Sequence, residues 1–140
     1  MQELVPWVQQ RYHVTSNPAR AIVGGSSLGG LTAAYAALRH PEVFGNVLSQ
    51  SGSFWWKPRH ETEMRWLARQ YVESPRLPLR FYLDVGRLES DGQRQANEHM
   101  RDLWREKGYP VHYNEFAGGH TFLCWQGTLS DGLIALIGNS

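Results

Sequence analysis

Residues 20–30 read Arg-Ala-Ile-Val-Gly-Gly-Ser-Ser-Leu-Gly-Gly, a short apolar run that leads into a glycine-rich turn. The apolar run over 20–23 predicts a β-strand that ends at the two glycines. Residues 28–38 are rich in alanine and leucine and precede His40-Pro41, so they predict a helix that ends before the proline. This stretch therefore predicts a strand, a sharp turn and a helix in direct succession.

The turn between this strand and helix matches the pattern G-x-S-x-G over residues 25–29. In such a turn the central serine takes a strained backbone conformation, and the residues two before and two after it must be small. Gly25 and Gly29 meet that requirement for Ser27, whereas Ser26 would need a small residue where Leu28 stands. Ser27 is therefore the predicted nucleophile. The N–H of Leu28, at the start of the helix, is predicted to stabilise an oxyanion.

The alternative interpretation of this turn is a glycine-rich connection that only packs against its neighbours, or one that binds phosphate. A phosphate-binding P-loop requires a lysine directly after its glycines, and none is present here. The strand-turn-helix context favours a catalytic serine over both readings.

Strand-like and helix-like segments alternate along the rest of the chain, with no repeat or linker between them. Further strands are predicted at 46–49, 80–85 and 111–116. Helices are predicted at 3–12, 61–71, 93–107 and 122–137, the last interrupted near Gly127 and Gly132. The alternation predicts an α/β fold of about four parallel strands with flanking helices. Functional residues are expected just beyond the carboxyl ends of these strands.

A serine hydroxyl needs a base to remove its proton, and the chain offers six histidines. His120 follows the last predicted strand in a loop with two glycines and comes after the serine, as hydrolases of this architecture require. It is the predicted base, and His60, in the loop over 50–60, is the alternative. The others are interpreted as surface or packing residues: His13, His40, His99 and His112.

The third member of a Ser-His-acid triad should follow the penultimate strand, where Glu89 and Asp84 both qualify. Glu89 lies in the loop beyond Gly86 and could reach a histidine. Asp84 lies within the strand, where a buried carboxylate would need a strong partner. Glu89 is preferred and Asp84 stays open, while Asp91 is interpreted as the N-cap of the following helix.

An aromatic segment, Phe54-Trp55-Trp56, follows the second strand. Aromatic side chains beside a nucleophile suggest a binding surface on which a flat acyl group could stack. Arg87, and also Lys57 and Arg59, could pair with negative charge on a substrate. The alternative is that each tryptophan belongs to the core. Trp55, Trp56 and Arg87 are the predicted substrate-binding residues.

The chain has 140 residues, a formal net charge of +1 and one cysteine. The length predicts a single domain. The near-neutral charge argues against binding to nucleic acid or to an anionic membrane, because both need a concentrated cluster of basic residues. Cys124 cannot form an intrachain disulfide or assemble a Cys/His metal cluster, and we interpret it as a small buried hydrophobe. The first residues resemble no export signal, so a soluble, unexported protein is expected.

The stretch from the glycine-rich turn through His40-Pro41-Glu42-Val43-Phe44-Gly45 to Gln50-Ser51-Gly52-Ser53-Phe54-Trp55-Trp56 resembles the enterochelin (enterobactin) esterases. These belong to the esterase-D-like α/β-hydrolases. The resemblance covers about residues 4–137. It implies hydrolysis of a ferric tricatecholate siderophore in the cytoplasm, with a small-molecule ester as partner and iron present only as part of the substrate, so that no cofactor is expected.

On this resemblance the family's nucleophile corresponds to Ser27, its base to His120 and its acid to Glu89, three positions after Gly86. The resemblance also implies that residues 1–140 form the carboxyl-terminal half of the catalytic domain. The first strands of the sheet, the loop that donates a second oxyanion N–H and a further amino-terminal domain would then be missing.

The sequence leaves two alternatives to a siderophore esterase open. One is a feruloyl-type esterase or acyltransferase on the same scaffold. The other is a truncated, inactive module that binds catecholates or associates with another chain, including a second copy, through an exposed sheet edge.

Overall fold

A computed structural model describes residues 3–62 and 65–138. Four parallel strands form one sheet in the order β1-β2-β3-β4. Their bounds are Ile22–Ser26 for β1, Asn46–Gln50 for β2, Arg80–Gly86 for β3 and Val111–Phe116 for β4. The predicted α/β fold with parallel strands is confirmed.

Five α-helices connect or flank these strands within the described residues. They are α1 (Leu4–Arg11), α2 (Leu28–Arg39), α3 (Trp66–Glu73), α4 (Asp91–Glu106) and α5 (Phe122–Ile137), and a short 3-10 turn covers Pro18–Arg20. None of the helices in this part of the chain has the length and apolar character that a membrane span demands.

The strand register brings the ends of neighbouring strands to one edge of the sheet. Ser26 pairs with Gln50, Gln50 with Asp84, and Gly86 with Phe116. The loops that follow the four strands therefore start side by side, which is where an open parallel sheet places its ligands.

Successive side chains of β2 and β3 point to opposite faces of the sheet and pack into two hydrophobic cores, one on each face. On one face, strand residues such as Phe81 and Val47 pack against α2, α3 and α4, with Phe81 stacked 3.9 Å from Trp104. On the other face, Leu48 and Tyr82 pack against Leu136 of α5. Burial on both faces explains the apolar run Phe81-Tyr82-Leu83 in β3, whereas β2 carries the buried polar residues Asn46, Ser49 and Gln50 beside Val47 and Leu48.

The boundaries of β1 and α3 differ from the sequence prediction. Strand β1 begins at Ile22 and runs on through both glycines to Ser26, because it pairs with β2 along its whole length. Helix α3 begins at Trp66 and not at 61, after Arg65 in the left-handed conformation with φ 69°. Met64, which belongs to the predicted helix over 61–71, lies outside the described residues.

The last two helices also correct the prediction. The α4 N-cap is Ser90, whose hydroxyl accepts from the N–H of Gln93, and Asp91 is the first helical residue. Helix α5 is continuous through both glycines. A Cβ at Gly132 would lie 2.7 Å from Leu48 Cδ1, so this glycine lets the helix approach the sheet closely.

Candidate active site

Ser27 occupies a strained turn between β1 and α2. Its backbone angles are φ 58° and ψ −123°, a conformation that residues with a side chain rarely adopt. The turn is fixed by the N–H of Ser27, which donates to the carbonyl of Gln50 at 2.9 Å, and by the carbonyl of Ser27, which accepts from Ser53 N at 3.0 Å. The serine side chain is thereby presented at the carboxyl end of the sheet.

The glycines around Ser27 differ in how strictly they are required. A Cβ at Gly25 would lie 2.6 Å from the backbone of Gly29, and a Cβ at Gly30 would lie 2.5 Å from Ser49 Oγ. A Cβ at Gly29 would meet nothing within 4 Å. The expectation that position 29 must be small is therefore wrong, because the close approach is made by the backbone of Gly29 and by Gly30.

These contacts predict opposite outcomes for two alanine substitutions. Gly25→Ala should destabilise the fold by about 1–3 kcal/mol or more, because the added methyl group would clash with backbone atoms of Gly29, which cannot move aside as a side chain could. Gly29→Ala should be neutral or stabilising by up to about 1 kcal/mol, because it adds no clash within a helix. Urea unfolding of both variants measures the difference. Equal destabilisation would contradict the described packing.

His120 hydrogen-bonds to Ser27 through one ring nitrogen and to Glu89 through the other. Its Nε2 lies 2.9 Å from Ser27 Oγ and its Nδ1 lies 2.7 Å from Glu89 Oε2. A carboxylate can only accept a hydrogen bond, so Nδ1 carries the ring proton and Nε2 accepts from the serine hydroxyl. The structure thus brings together the predicted nucleophile, base and preferred acid, in the order and polarity that an activated serine needs.

The ring of His120 is positioned by the loop before α5 and by the first turn of that helix. The indole of Trp125 packs edge-on against the imidazole, with centroids 4.8 Å apart and planes at 84°. A Cβ at Gly86 would collide with the carbonyl oxygen of Gly118, so glycine at position 86 lets the histidine loop lie directly against the end of β3. The side chain of His120 stays 40% exposed, leaving room for a substrate.

Glu89 is almost completely shielded from solvent, with 2% of its side chain exposed. Its Oε1 accepts from the backbone N–H of Gly86 at 2.8 Å and from the Ser51 hydroxyl at 2.5 Å. Three donors therefore surround this carboxylate when the imidazole is included, which offsets the cost of burying its charge.

Asp84, the alternative acid, lies elsewhere. It is fully buried and shares a face of β3 with Tyr82, beside the side chains of Gln50 and Thr128. Both nitrogens of His120 are engaged by other groups. Burial raises the pKa of Asp84 to about 6, the nearby polar side chains of Thr128 and Gln50 oppose the shift, and the charge of Glu89 adds to it. Neither carboxylate oxygen of Asp84 has a hydrogen-bond partner among the residues that the structure describes, so burial dominates.

The raised pKa of Asp84 predicts a pH-dependent stability. Its carboxyl ionises near pH 3.8 in the unfolded chain and near pH 6 in the fold. Between these values the unfolded state loses its proton first, so the free energy of unfolding should fall by roughly 2–3 kcal/mol and then stay level. Asp84→Asn should abolish this fall, which urea unfolding of both proteins at pH 4, 5, 6 and 7 measures. A constant difference between them would contradict the assignment.

Ser53 is a site residue that sequence reasoning missed. Its hydroxyl is buried and lies 3.2 Å from Ser27 Oγ. Because the Ser27 proton points to His120, Ser53 is the donor in this contact. The signal available in the sequence was its place three residues beyond the carboxyl end of β2, in the loop that faces Ser27.

Leu28 is the first residue of α2, so its N–H has no acceptor within the helix. This places an N–H without a helical acceptor one residue from Ser27, at the position that the sequence predicts. The Leu28 side chain is half exposed. The feature of Leu28 that bears on the site is therefore its backbone N–H.

The predicted substrate-binding residues have different surroundings. Trp55 is 45% exposed and its indole N–H donates to Gln93 Oε1 at 2.7 Å. Trp56 packs against the indole of Trp66 beside the main core, so packing accounts for much of its ring. Arg87 is largely exposed and lies 4.0 Å from a carboxylate oxygen of Glu115.

Other candidates lie away from the serine. His60 is 82% exposed and 4.0 Å from Glu61, so it is not part of this cluster. Cys124 is partly exposed and not buried as expected, and its Sγ limits the space at Gly118.

A cavity of about 440 Å³ lies at the opposite, amino-terminal end of β1, between that strand and α1, and none of the predicted site residues lines it.

Comparison with known proteins places this geometry in a family. The sequence profile named Esterase matches residues 1–136. The chain belongs to this esterase family. The chain is 37% identical over 93% of its length to the iron(III) enterobactin esterase of Dickeya dadantii (strain 3937), and 38% identical over 96% to that of Escherichia coli O6:H1.

Solved esterase structures share the fold. The enterobactin esterase of Shigella flexneri, determined in the presence of 2,3-dihydroxy-N-benzoyl-serine, superimposes with a TM-score of 0.86 at 37% identity over 96% of this chain. A ferulic acid esterase at 18% identity gives a TM-score of 0.79 and shares the fold alone. The chain spans about a third of its enterobactin esterase relatives, covering 32% of the Dickeya protein and 36% of the Shigella structure.

Proposed function

We propose that this chain carries the catalytic residues of a serine esterase acting on catecholate siderophore esters. The observation that supports this most strongly is the continuous hydrogen-bonded series from Ser27 through His120 to the buried Glu89. Membership of the esterase family supports the same reaction class.

In the proposed reaction, His120 Nε2 takes the hydroxyl proton as Ser27 Oγ attacks the ester carbonyl carbon. The N–H of Leu28 donates to the oxyanion that forms, and Glu89 stabilises the imidazolium. The imidazolium then protonates the departing alkoxide, leaving an acyl group on Ser27. Water, deprotonated by His120, attacks that acyl group, releases the acid and restores the serine.

The substrate class rests on the relatives and on the surroundings of the site. The relatives are named for iron(III) enterobactin, and one structure was determined with a dihydroxybenzoyl-serine. Trp55 lies on the loop that carries Ser53, where a catechol ring could stack, and Arg87 could meet the negative charge of a ferric catecholate. Iron enters this account as part of the substrate, and the reaction itself needs no metal from the protein.

The experiment is incubation of the chain with ferric enterobactin and, separately, with a simple feruloyl ester, followed by chromatography of the products. Release of dihydroxybenzoyl-serine by the wild type, and none by Ser27→Ala, is the expected result. Turnover of the feruloyl ester alone would favour a feruloyl-type esterase. Binding of the ferric catecholate without cleavage, seen as tryptophan quenching, would favour a binding module.

A further inference from the structure

Ser51 is the first residue after β2 and has an unusual, firmly held backbone. It is fully buried and adopts the left-handed conformation with φ 49°. Its N–H donates to the carbonyl of Asp84 at 2.8 Å, and its carbonyl accepts from Gln93 Nε2 at 2.6 Å. Two neighbouring elements, β3 and α4, therefore determine where its side chain lies.

The direction of the hydrogen bonds at Ser51 follows from the chemistry of its partners. The indole N–H of Trp125 can only donate, and it lies 3.0 Å from Ser51 Oγ. The single hydroxyl proton of Ser51 is left for Glu89 Oε1, at 2.5 Å. A one-way series of hydrogen bonds thus runs from Trp125 through Ser51 to Glu89.

This series controls which carboxylate oxygen faces the histidine. Oε1 of Glu89 receives the Ser51 hydroxyl and the Gly86 N–H, so Oε2 is left for His120 Nδ1. Trp125 also packs edge-on against the His120 ring. One indole therefore contacts the base directly and orients, through Ser51, the acid that the base needs.

We infer that Ser51, oriented by Trp125, is a positioning residue that holds the Glu89 carboxylate in line with His120. The backbone supports a role for the side chain, because φ 49° suits glycine better than serine. A strained backbone conformation at a residue other than glycine is a common feature of functional sites. The inference rests on the proposed function for its kinetic consequence, though its structural consequence can be measured without any activity.

The kinetic arm compares Ser51→Gly, which relieves the backbone strain, with Ser51→Ala, which keeps the Cβ. Labelling of the full chain with diisopropyl fluorophosphate should slow by about 10- to 100-fold at saturating probe in both variants, the effect of losing a hydrogen bond to a charged group. The probe concentration that gives half-saturation should stay the same. Ser74→Ala, which removes a serine hydroxyl at the end of α3, is the matched control and should label at the wild-type rate.

The spectroscopic arm reads the His120 to Glu89 hydrogen bond directly. In protein labelled with ¹⁵N-histidine, the Nδ1 proton of His120 should give a strongly downfield proton resonance. That resonance should move upfield or disappear by exchange in Ser51→Gly and Ser51→Ala, and stay in place in Ser74→Ala. Trp125→Phe, which keeps a ring against His120 but loses the N–H, should shift it in the same direction.

Three outcomes separate the claims. If the wild type is not labelled on Ser27, the proposed function fails, and the resonance still decides the role of Ser51. If labelling rate and resonance are both unchanged in the folded Ser51 variants, the inference is overturned. If both Ser51 variants fail to fold, Trp125→Phe decides it, and an unchanged resonance there overturns it.

Discussion

Replacing Ser27 or His120 by alanine is expected to lower kcat for ester hydrolysis by about 10⁶-fold, and the double variant no further. The reason is that the two side chains act as one unit across a 2.9 Å hydrogen bond. Without the base the hydroxyl is a poor nucleophile, and without the hydroxyl the base has no proton to remove.

The matched control is His60→Ala, which removes an exposed imidazole outside the cluster and should change the rate less than about 2-fold. Ser27→Ala keeps the Cβ, so the strain of the turn is unchanged and the fold should stay intact, which circular dichroism and thermal unfolding check. If the two effects simply multiplied in the double variant, or if His60→Ala were the damaging change, the coupling of Ser27 to His120 would be refuted.

Glu89→Gln should lower kcat by about 10³- to 10⁴-fold, as expected for the loss of a triad carboxylate. An amide at position 89 can donate as well as accept. It therefore permits the histidine tautomer whose Nε2 carries the proton and cannot receive another from Ser27. Steady-state kinetics at one pH, with unfolding curves for both proteins, measure the change.

Asp84→Asn is the matched control for this substitution, since it makes the same chemical change to a buried carboxylate on β3, the strand that leads into the Glu89 loop. We expect its activity to stay within about 10-fold of wild type, because Asp84 faces Gln50 and Thr128 and no hydrogen bond joins it to His120. The reverse pattern, with Asp84→Asn inactive and Glu89→Gln active, would assign the acid to Asp84.

The fold and the strained turn that presents Ser27 were predictable because their signals are local. A strand, a G-x-S-x-G turn and a helix follow one another over a few residues, and Ser27 is the central serine of that pattern. The requirement for a small residue two positions later, which also favoured Ser27 over Ser26, does not hold in the structure. His120 was found by a second local signal, its glycine loop after the last strand. The structure then brings both side chains to the same edge of the sheet.

The acid was left open because the choice depends on which face of β3 each carboxylate occupies. Asp84 alternates with Leu83 and so points with Tyr82 toward α5, whereas Glu89 lies beyond the end of the strand and turns back to Gly86. The loop conformation brings the Glu89 side chain back to Gly86, and the amino-acid sequence of the loop does not reveal that conformation.

The residues that surround Glu89 were missed because they come from distant parts of the chain. Ser51 is 38 positions from Glu89 and 74 from Trp125, and only the sheet register and the left-handed backbone of Ser51 bring them together. Tertiary pairing also explains β1, where hydrogen bonding to β2 extends the strand through two glycines that local propensity would exclude.

The most direct test of the central claim is to locate the covalent adduct left by diisopropyl fluorophosphate. In this reaction Ser27 Oγ would form a bond to phosphorus, fluoride would leave, and His120 would take the hydroxyl proton. Peptide mass spectrometry of the labelled chain should place the diisopropylphosphoryl group on Ser27, and Ser27→Ala should carry none. An adduct on Ser26, Ser51 or Ser53, or one that survives in Ser27→Ala, would contradict the assignment of the nucleophile.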